Sequence, residues 1–191
     1  MTSNRLEAFS DGVIAVIITI MVLELKPPHE DSTRGLLLLY PAFLTYLLSF
    51  IIVAMYWVNH HHLIDSVKRL DAPTLWANLH FLFWLSLFPW VTGYVNENHA
   101  RPLPVSLYAL ETFATGISFN LLRQIIARHH KDDPLYLKQH SRRNKLSLIA
   151  LSFYFSAVAL AWVWTPLALI MITIPLLLYF FPTLIFPKEK V

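Results

Sequence analysis

The segment that decides the fold is residues 5–24, RLEAFSDGVIAVIITIMVLE, which holds only twelve uncharged residues between Asp11 and Glu24. Twelve residues make about 18 Å of α-helix, whereas the hydrocarbon core of a bilayer is about 30 Å thick. The segment is therefore apolar in its middle and charged towards both ends. Because charged helix ends avoid lipid and lie against protein or water, we expect this helix to be central in an assembly.

The composition of the whole chain excludes a water-soluble domain. Of the 191 residues, 56% are hydrophobic and 14% are charged, whereas soluble domains carry about 25% charged residues. So short a chain cannot bury this much apolar surface in one core, and the excess must face lipid. The absence of cysteine from the sequence excludes disulfides, thiolate nucleophiles and cysteine-based metal sites. Neither the net charge of +3 nor any motif indicates a cofactor or a nucleic-acid partner.

Uncharged runs and prolines divide the chain into six predicted transmembrane helices, which form one domain over residues 1–191. The run from 146 to 187 is too long for one crossing, and Pro166 divides it because proline lacks an N–H group and restricts its predecessor. The predicted spans are 4–26, 35–59, 73–96, 103–127, 146–164 and 166–186. The predicted fold class is an all-α polytopic membrane protein.

The basic residues predict the orientation in the membrane. Six crossings place both termini on one side, and that side holds twelve of the fifteen lysines and arginines. The other side holds only Lys26, Arg34 and Arg101. Because cytoplasmic loops are enriched in lysine and arginine, we predict a plasma-membrane protein with both termini in the cytoplasm.

One face of the first helix carries a stripe of apolar side chains. Val16, Ile20 and Leu23 follow an i, i+4, i+7 pattern, with Thr19 beside them. Ordinary helix packing can produce such a stripe. On a helix with polar ends, however, the stripe suits a water-filled path with a hydrophobic constriction, because rings of apolar side chains can gate ions by dewetting.

Asp11 needs polar partners, because an unpaired charge near the membrane interior is unfavourable by a few kcal/mol. The candidates predicted on the same side are Asn59, His60, His61, Asn78 and His80. These residues form either a vestibule that attracts cations or a hydrogen-bond network that holds the first helix. For Asp11 itself the network is the favoured interpretation.

Two other polar features support weaker hypotheses. His60, His61 and His62 do not predict a zinc site, because adjacent helical residues point about 100° apart and no cysteine or i, i+4 histidine assists them. Glu111 lies inside the fourth predicted span, where a carboxylate is a functional candidate. An alternative function is therefore a proton-coupled transporter in which Glu111 and the His/Asp cluster titrate, although the sequence shows none of the repeats usual in such transporters. An enzyme or a scaffold is a third class, but the sequence contains no nucleophile or metal motif.

The stretch Arg5-Leu-Glu-Ala-Phe9-Ser10-Asp11-Gly12 resembles the R-x-x-x-F-S-D-G signature of the lysosomal potassium channel family, called transmembrane protein 175 in animals. Residues 56–61 resemble the end of the second helix in that family, and residues 78–89 resemble its third helix. The chain is thus similar to a prokaryotic single-repeat member, and the resemblance covers the first three spans.

This resemblance implies a homotetramer of six-helix subunits in which four copies of the first helix line a central potassium pore. Val16, Ile20 and Leu23 would occupy the constriction positions, and Thr19 a hydroxyl layer. The intrasubunit polar network that it implies consists of Arg5, Phe9, Ser10, Asp11, Asn59, His60 and Asn78. Val16 is smaller than the isoleucine or leucine that is more usual at the innermost constriction, so the tightness of the constriction at Val16 is not fixed by the resemblance.

Overall fold

The computed structural model describes residues 3–28, 31–67 and 70–180, and within these ranges the regular structure is entirely helical. The α-helices are α1 (Ser3–Met21), α2 (Thr33–Leu37), α3 (Tyr40–Asp65), α4 (Ala72–Leu85), α5 (Phe88–Glu97), α6 (Pro102–Ala127), α7 (Pro134–Leu160) and α8 (Thr165–Phe180). Short 3₁₀ turns extend α1 over Val22–Glu24 and α6 over Arg128–His130. The predicted all-α class is confirmed for the described residues.

Two of the predicted spans are interrupted by proline. The span predicted at 73–96 is two helices, because Pro89 has no N–H group to donate to the carbonyl of Leu85, where α4 ends. In the same way Pro41 lacks a donor for the carbonyl of Leu37, the last residue of α2. Both interruptions lie within apolar sequence.

The other spans differ from prediction mainly at their ends. The helix predicted at 146–164 begins twelve residues earlier, at Pro134, and ends at Leu160. Asp133 caps it by accepting hydrogen bonds from the next turn. The helix predicted at 35–59 continues to Asp65, and the α-helix predicted at 4–26 ends at Met21 before its 3₁₀ turn. The predicted 181–186 end of the last span lies outside the described residues.

Two described segments, Ser3–Glu24 and Tyr40–Asp65, are each long and apolar enough to cross a membrane by themselves. Helix α8 is apolar but shorter. Helices α4 and α5 have 14 and 10 residues, so only the two together approach the length of one crossing, about 20 residues.

Helix α6 is the centre of the bundle and packs against α4, α5, α7 and α8, whereas α1 packs on one side against α3, α4 and α5. An aromatic cluster joins α3, α4 and α6: the ring centroid of Phe81 lies 5.6 Å from that of Tyr56 and 5.2 Å from that of Phe119. His60 stacks on Phe81. The cluster fixes the part of α3 and α4 that faces the beginning of α1.

Candidate pore surface on the first helix

Helix α1 has one face buried in the subunit and one face uncovered. The buried residues are Leu6, Ser10, Ile14, Ile17 and Met21, which recur every three or four positions. On the other face, Val16, Ile20 and Leu23 are 55%, 43% and 72% exposed. The predicted stripe therefore lies on the face that the subunit does not cover, and Thr19 is exposed beside it.

The uncovered face borders an apolar groove of about 760 Å³ between α1 and α5. Phe9, Val16 and Ile20 line it from α1, and Pro89 and Trp90 line it from α5. Exposed apolar surface of this extent marks a place where lipid or another molecule lies.

The hydroxyl of Thr19 donates a hydrogen bond to the backbone carbonyl of Val16 at 2.9 Å. This bond uses the only hydrogen of the hydroxyl, so its oxygen presents acceptor lone pairs on the exposed side of the helix. A hydroxyl in this state is suited to contact water or a cation.

A chain of directed hydrogen bonds holds the buried face of α1. His60 Nε2 donates to Asn78 Oδ1 at 2.6 Å, and Asn78 Nδ2 donates to Ser10 Oγ at 3.0 Å. Ser10 Oγ in turn donates to the carbonyl of Leu6 at 2.8 Å. The three side chains linked in this way, Ser10, Asn78 and His60, are fully buried. We call them the anchor triad. It ties α1 to α3 and α4.

Two acidic residues of α1 are paired with α3 instead. Trp57 Nε1 donates to Asp11 Oδ1 at 2.9 Å, and His61 Nδ1 lies 2.6 Å from Glu7 Oε1. Glu7 and Asp11 are four residues apart, as are Trp57 and His61, so the two pairs match on antiparallel helices. The partner of Asp11 is thus Trp57, which sequence reasoning missed. The equal spacing is a signal that could have found it.

The remaining residues of the predicted network lie elsewhere. Asn59 donates to the carbonyl of Met55 in its own helix at 2.8 Å. Arg5 is exposed and has no hydrogen bond or ion pair with any residue that the structure describes. Phe9 lies on the uncovered face, 51% exposed. His80 accepts from Trp84 Nε1 at 3.1 Å, away from Asp11.

The other end of α1 is clamped to α5 by charged residues that sequence reasoning also missed. Lys26 forms an ion pair with Glu97, and this hydrogen-bonded carboxylate raises the pKa of Lys26. Glu24 lies so close to Gly93 that a Cβ atom there would overlap its carboxylate. The absence of a side chain at Gly93 therefore lets Glu24 reach α5.

Glu111 lies apart from these groups, inside the bundle. Its Oε1 accepts from the Thr115 hydroxyl at 2.6 Å, and its Oε2 has no partner among the described residues. None of its hydrogen bonds in the described ranges reaches His60 or Asp11. The described chain also contains no group of three histidine, aspartate or glutamate side chains placed to hold a metal ion.

A family model described as endosomal/lysosomal potassium channel TMEM175 matches residues 5–89. A protein of Chryseobacterium sp. (strain P1-3) named potassium channel is 44% identical over 83% of this chain and 82% of its own length. One from Streptomyces collinus, also named potassium channel, is 34% identical over 69% of this chain and 68% of its own.

More distant matches extend the comparison. The human protein named endosomal/lysosomal proton channel TMEM175 is 26% identical over 60% of this chain, which corresponds to 24% of the human sequence. The crystal structure of a lysosomal potassium-selective channel TMEM175 homolog from Chamaesiphon minutus superimposes with a TM-score of 0.82 at 27% identity, covering 95% of this chain and 97% of that one. The helical arrangement described above is therefore shared almost end to end.

Proposed function

The chain belongs to the TMEM175 family of potassium channels, and on this premise we propose that it forms a potassium-selective cation channel of the plasma membrane that conducts passively. Its bacterial relatives of similar length are named potassium channels. The match with the Chryseobacterium protein covers more than four fifths of both sequences, so the relationship extends over most of each chain.

The observation that carries the proposal is the uncovered apolar face of α1. In a homotetramer with α1 innermost, Val16, Ile20 and Leu23 of four subunits form three successive apolar rings. Leu23 lies seven positions after Val16, so the rings span about 10 Å along the axis. The buried face, held by the anchor triad, would keep the four copies of α1 at a fixed distance from that axis.

Selectivity in this pore follows from the cost of dehydration. An apolar ring cannot replace the hydration shell of an ion as rings of backbone carbonyls do. It forces partial dehydration, and potassium loses less than sodium because potassium is the more weakly hydrated ion. The Thr19 oxygen, next to the Ile20 ring and one turn from the Leu23 ring, returns part of the lost coordination. We expect moderate rather than strict selectivity.

The proposed topology is one channel domain with six crossings and both termini in the cytoplasm. Helices α4 and α5 form one bent crossing, and α1, α3, α6, α7 and α8 form the others. The beginning of α7 carries Lys138, Arg142, Arg143 and Lys145, which fits the basic, cytoplasmic side of the membrane.

Planar-bilayer recording of the purified, reconstituted protein tests the conduction. Under a tenfold potassium gradient an ideally selective pore reverses at about 59 mV, and replacement of potassium by sodium on one side shifts the reversal potential. Equal permeability to potassium, sodium and chloride would refute the proposal. Native mass spectrometry measures the subunit count in parallel, and a monomer would refute the shared pore.

Truncation of the apolar rings tests where the constriction lies. We expect Leu23→Ala and Ile20→Ala to increase conductance and to lower the ratio of potassium to sodium permeability, because a wider passage strips less water from the ions. Leu177→Ala is the matched control, since Leu177 is also an exposed leucine, 52% exposed, on α8. Unchanged currents and reversal potentials in both ring variants would place the constriction elsewhere.

The buried Glu111 supports a second candidate, a proton-coupled transporter. The observation that favours this function is that Oε2 of Glu111, inside the bundle, has no hydrogen-bond partner in the described part of the chain. Stoichiometric, saturating potassium uptake that Glu111→Gln abolishes would establish a transporter. For a channel we expect Glu111→Gln to leave single-channel conductance unchanged, because Glu111 lies away from the uncovered face of α1. Thr112→Val, a buried change one residue along α6, controls for disturbed packing.

A further inference from the structure

Arg123 is a buried charge without a counter-charge among the described residues. It lies in the last turns of α6 and is 4% exposed. Its Nη2 donates to the amide oxygens of Asn120 at 2.7 Å and Asn144 at 3.3 Å, and its Nε has no partner among the described residues. Within those residues no carboxylate lies at ion-pairing distance from it. Because a buried charge is unfavourable unless paired, this guanidinium is suited to an anion from outside the described chain.

Arg123 lines a small pocket that holds a second arginine. The pocket has a volume of about 220 Å³ and lies among α3, α6, α7 and α8. Arg143 enters it from α7, Asn59 from α3 and Tyr179 from α8. None of its lining residues is acidic. Two guanidinium groups with hydroxyl and amide neighbours provide the donors that a phosphate group accepts, and planar guanidinium is well matched to phosphate oxygens.

An apolar groove of about 420 Å³ adjoins this pocket between α3 and α8, and it shares Asn59 and Tyr179 with it. The other residues of the groove are Phe50, Ile51, Ala54, Met55, Val58 and Phe180. A polar cationic pocket that continues into an apolar channel matches the two halves of a phospholipid. The shared residues place the two volumes side by side, as a headgroup and an acyl chain require.

We propose that an anionic phospholipid binds here, with its phosphate between Arg123 and Arg143 and one acyl chain in the groove between α3 and α8. The pocket lies at the end of the bundle where α6 leads to α7, which is the side that the basic residues predict to be cytoplasmic. Basic pockets between membrane helices on that side bind anionic headgroups. This inference concerns lipid binding and is independent of which ions the protein conducts.

Native mass spectrometry of the full-length assembly tests the headgroup half of the site. The delipidated protein is incubated with phosphatidylglycerol or with phosphatidylcholine of the same acyl chains. We expect preferential retention of phosphatidylglycerol, reduced about fivefold by Arg143→Gln, since one basic residue near an anionic headgroup contributes about that factor. Arg143 is exposed, so its variant is expected to fold. Arg128→Gln, an exposed arginine that does not line the pocket, is the charge-matched control and is expected to retain the lipid. Equal retention of the two lipids, or equal loss in both variants, would overturn the proposal.

Two further measurements test the acyl-chain half. Ala54→Trp fills the groove and should lower phosphatidylglycerol retention, whereas Leu44→Trp, at an exposed site of the same helix outside the groove, should not. Inorganic phosphate at millimolar concentration is the competing ligand. If phosphate raises the thermal stability of the delipidated protein as much as phosphatidylglycerol does, the site binds a soluble phosphate and the lipid assignment is wrong. Retention that is insensitive to Ala54→Trp would also overturn it.

Discussion

The two faces of α1 are built from similar residues but are used differently. Isoleucines occur on both: Ile14 and Ile17 are buried against α3, α4 and α5, while Ile20 is exposed. Each face also has a hydroxyl that donates to its own helix, Ser10 on the buried face and Thr19 on the exposed face. Residue type alone therefore does not tell which face of α1 is packed inside the subunit and which face is left uncovered. The helices that pack against α1 determine which of its faces is covered.

The largest expected difference between the faces is in stability, and a pair of isoleucine variants measures it. Ile17 is 4% exposed and Ile20 is 43% exposed. Ile17→Ala leaves a cavity in the packed bundle and should lower the free energy of unfolding by about 2 to 4 kcal/mol. Ile20→Ala should change the free energy of unfolding of the subunit by less than about 0.5 kcal/mol. Denaturant titration in detergent, followed by tryptophan fluorescence, makes the comparison. Equal losses would mean that both faces pack inside the subunit.

A smaller difference is expected between the two hydroxyls. Ser10→Ala removes the acceptor for Asn78 Nδ2, and a buried donor without a partner costs about 1 to 3 kcal/mol. Thr19→Val keeps the shape of the side chain and should leave unfolding unchanged while lowering the preference for potassium over sodium. Unfolding titrations and bilayer reversal potentials are measured on both variants. A loss of selectivity in Ser10→Ala without loss of stability would contradict the division between the faces.

The smallest effect is expected at the clamp where α1 meets α5. Because Glu97 raises the pKa of Lys26 above its usual value of 10.5, the ion pair stabilises the folded state fully below pH 10.5. The stabilisation is lost as the pH rises through the raised pKa. Melting temperatures of the wild type and of Glu97→Gln, compared between pH 9 and pH 11.5, should therefore converge only at the alkaline end. The pair is exposed, so 1 M salt should also reduce the difference. A difference in melting temperature that persists at pH 11.5 would show that the stabilisation does not come from the charge of Lys26.

The sequence was sufficient for the helical class and for the identity of the uncovered stripe, because both depend on composition and on the spacing of apolar residues. The predicted spans were wrong where a helix continues into polar sequence, as α7 does. The first turns of α7 carry basic residues, and a search for apolar runs does not detect a helix there. Asp133 followed by Pro134 is a helix-start signal that would have placed the beginning correctly.

The resemblance grouped Ser10, His60 and Asn78 in one network, but the sequence did not supply the pairing of individual atoms between helices. The anchor triad joins residues 10, 60 and 78, and two of its three members carry no charge that would predict a partner. The partner of Asp11 depends on the register of α3 against α1, which places Trp57 beside it. Arg5 was included in the network by resemblance, and the structure leaves it exposed.

The pairing of Glu7 with His61 and of Asp11 with Trp57 has a consequence for biogenesis. Both acidic groups find their partners within one polypeptide, so a newly inserted copy does not wait for neighbours to shield them from acyl chains. A single chain can thus enter the bilayer with both of these carboxylates paired, while the apolar stripe of α1 stays uncovered. Assembly of the proposed tetramer would then follow insertion, and it would depend on the concentration of copies in the membrane rather than on the pairing of these acidic groups.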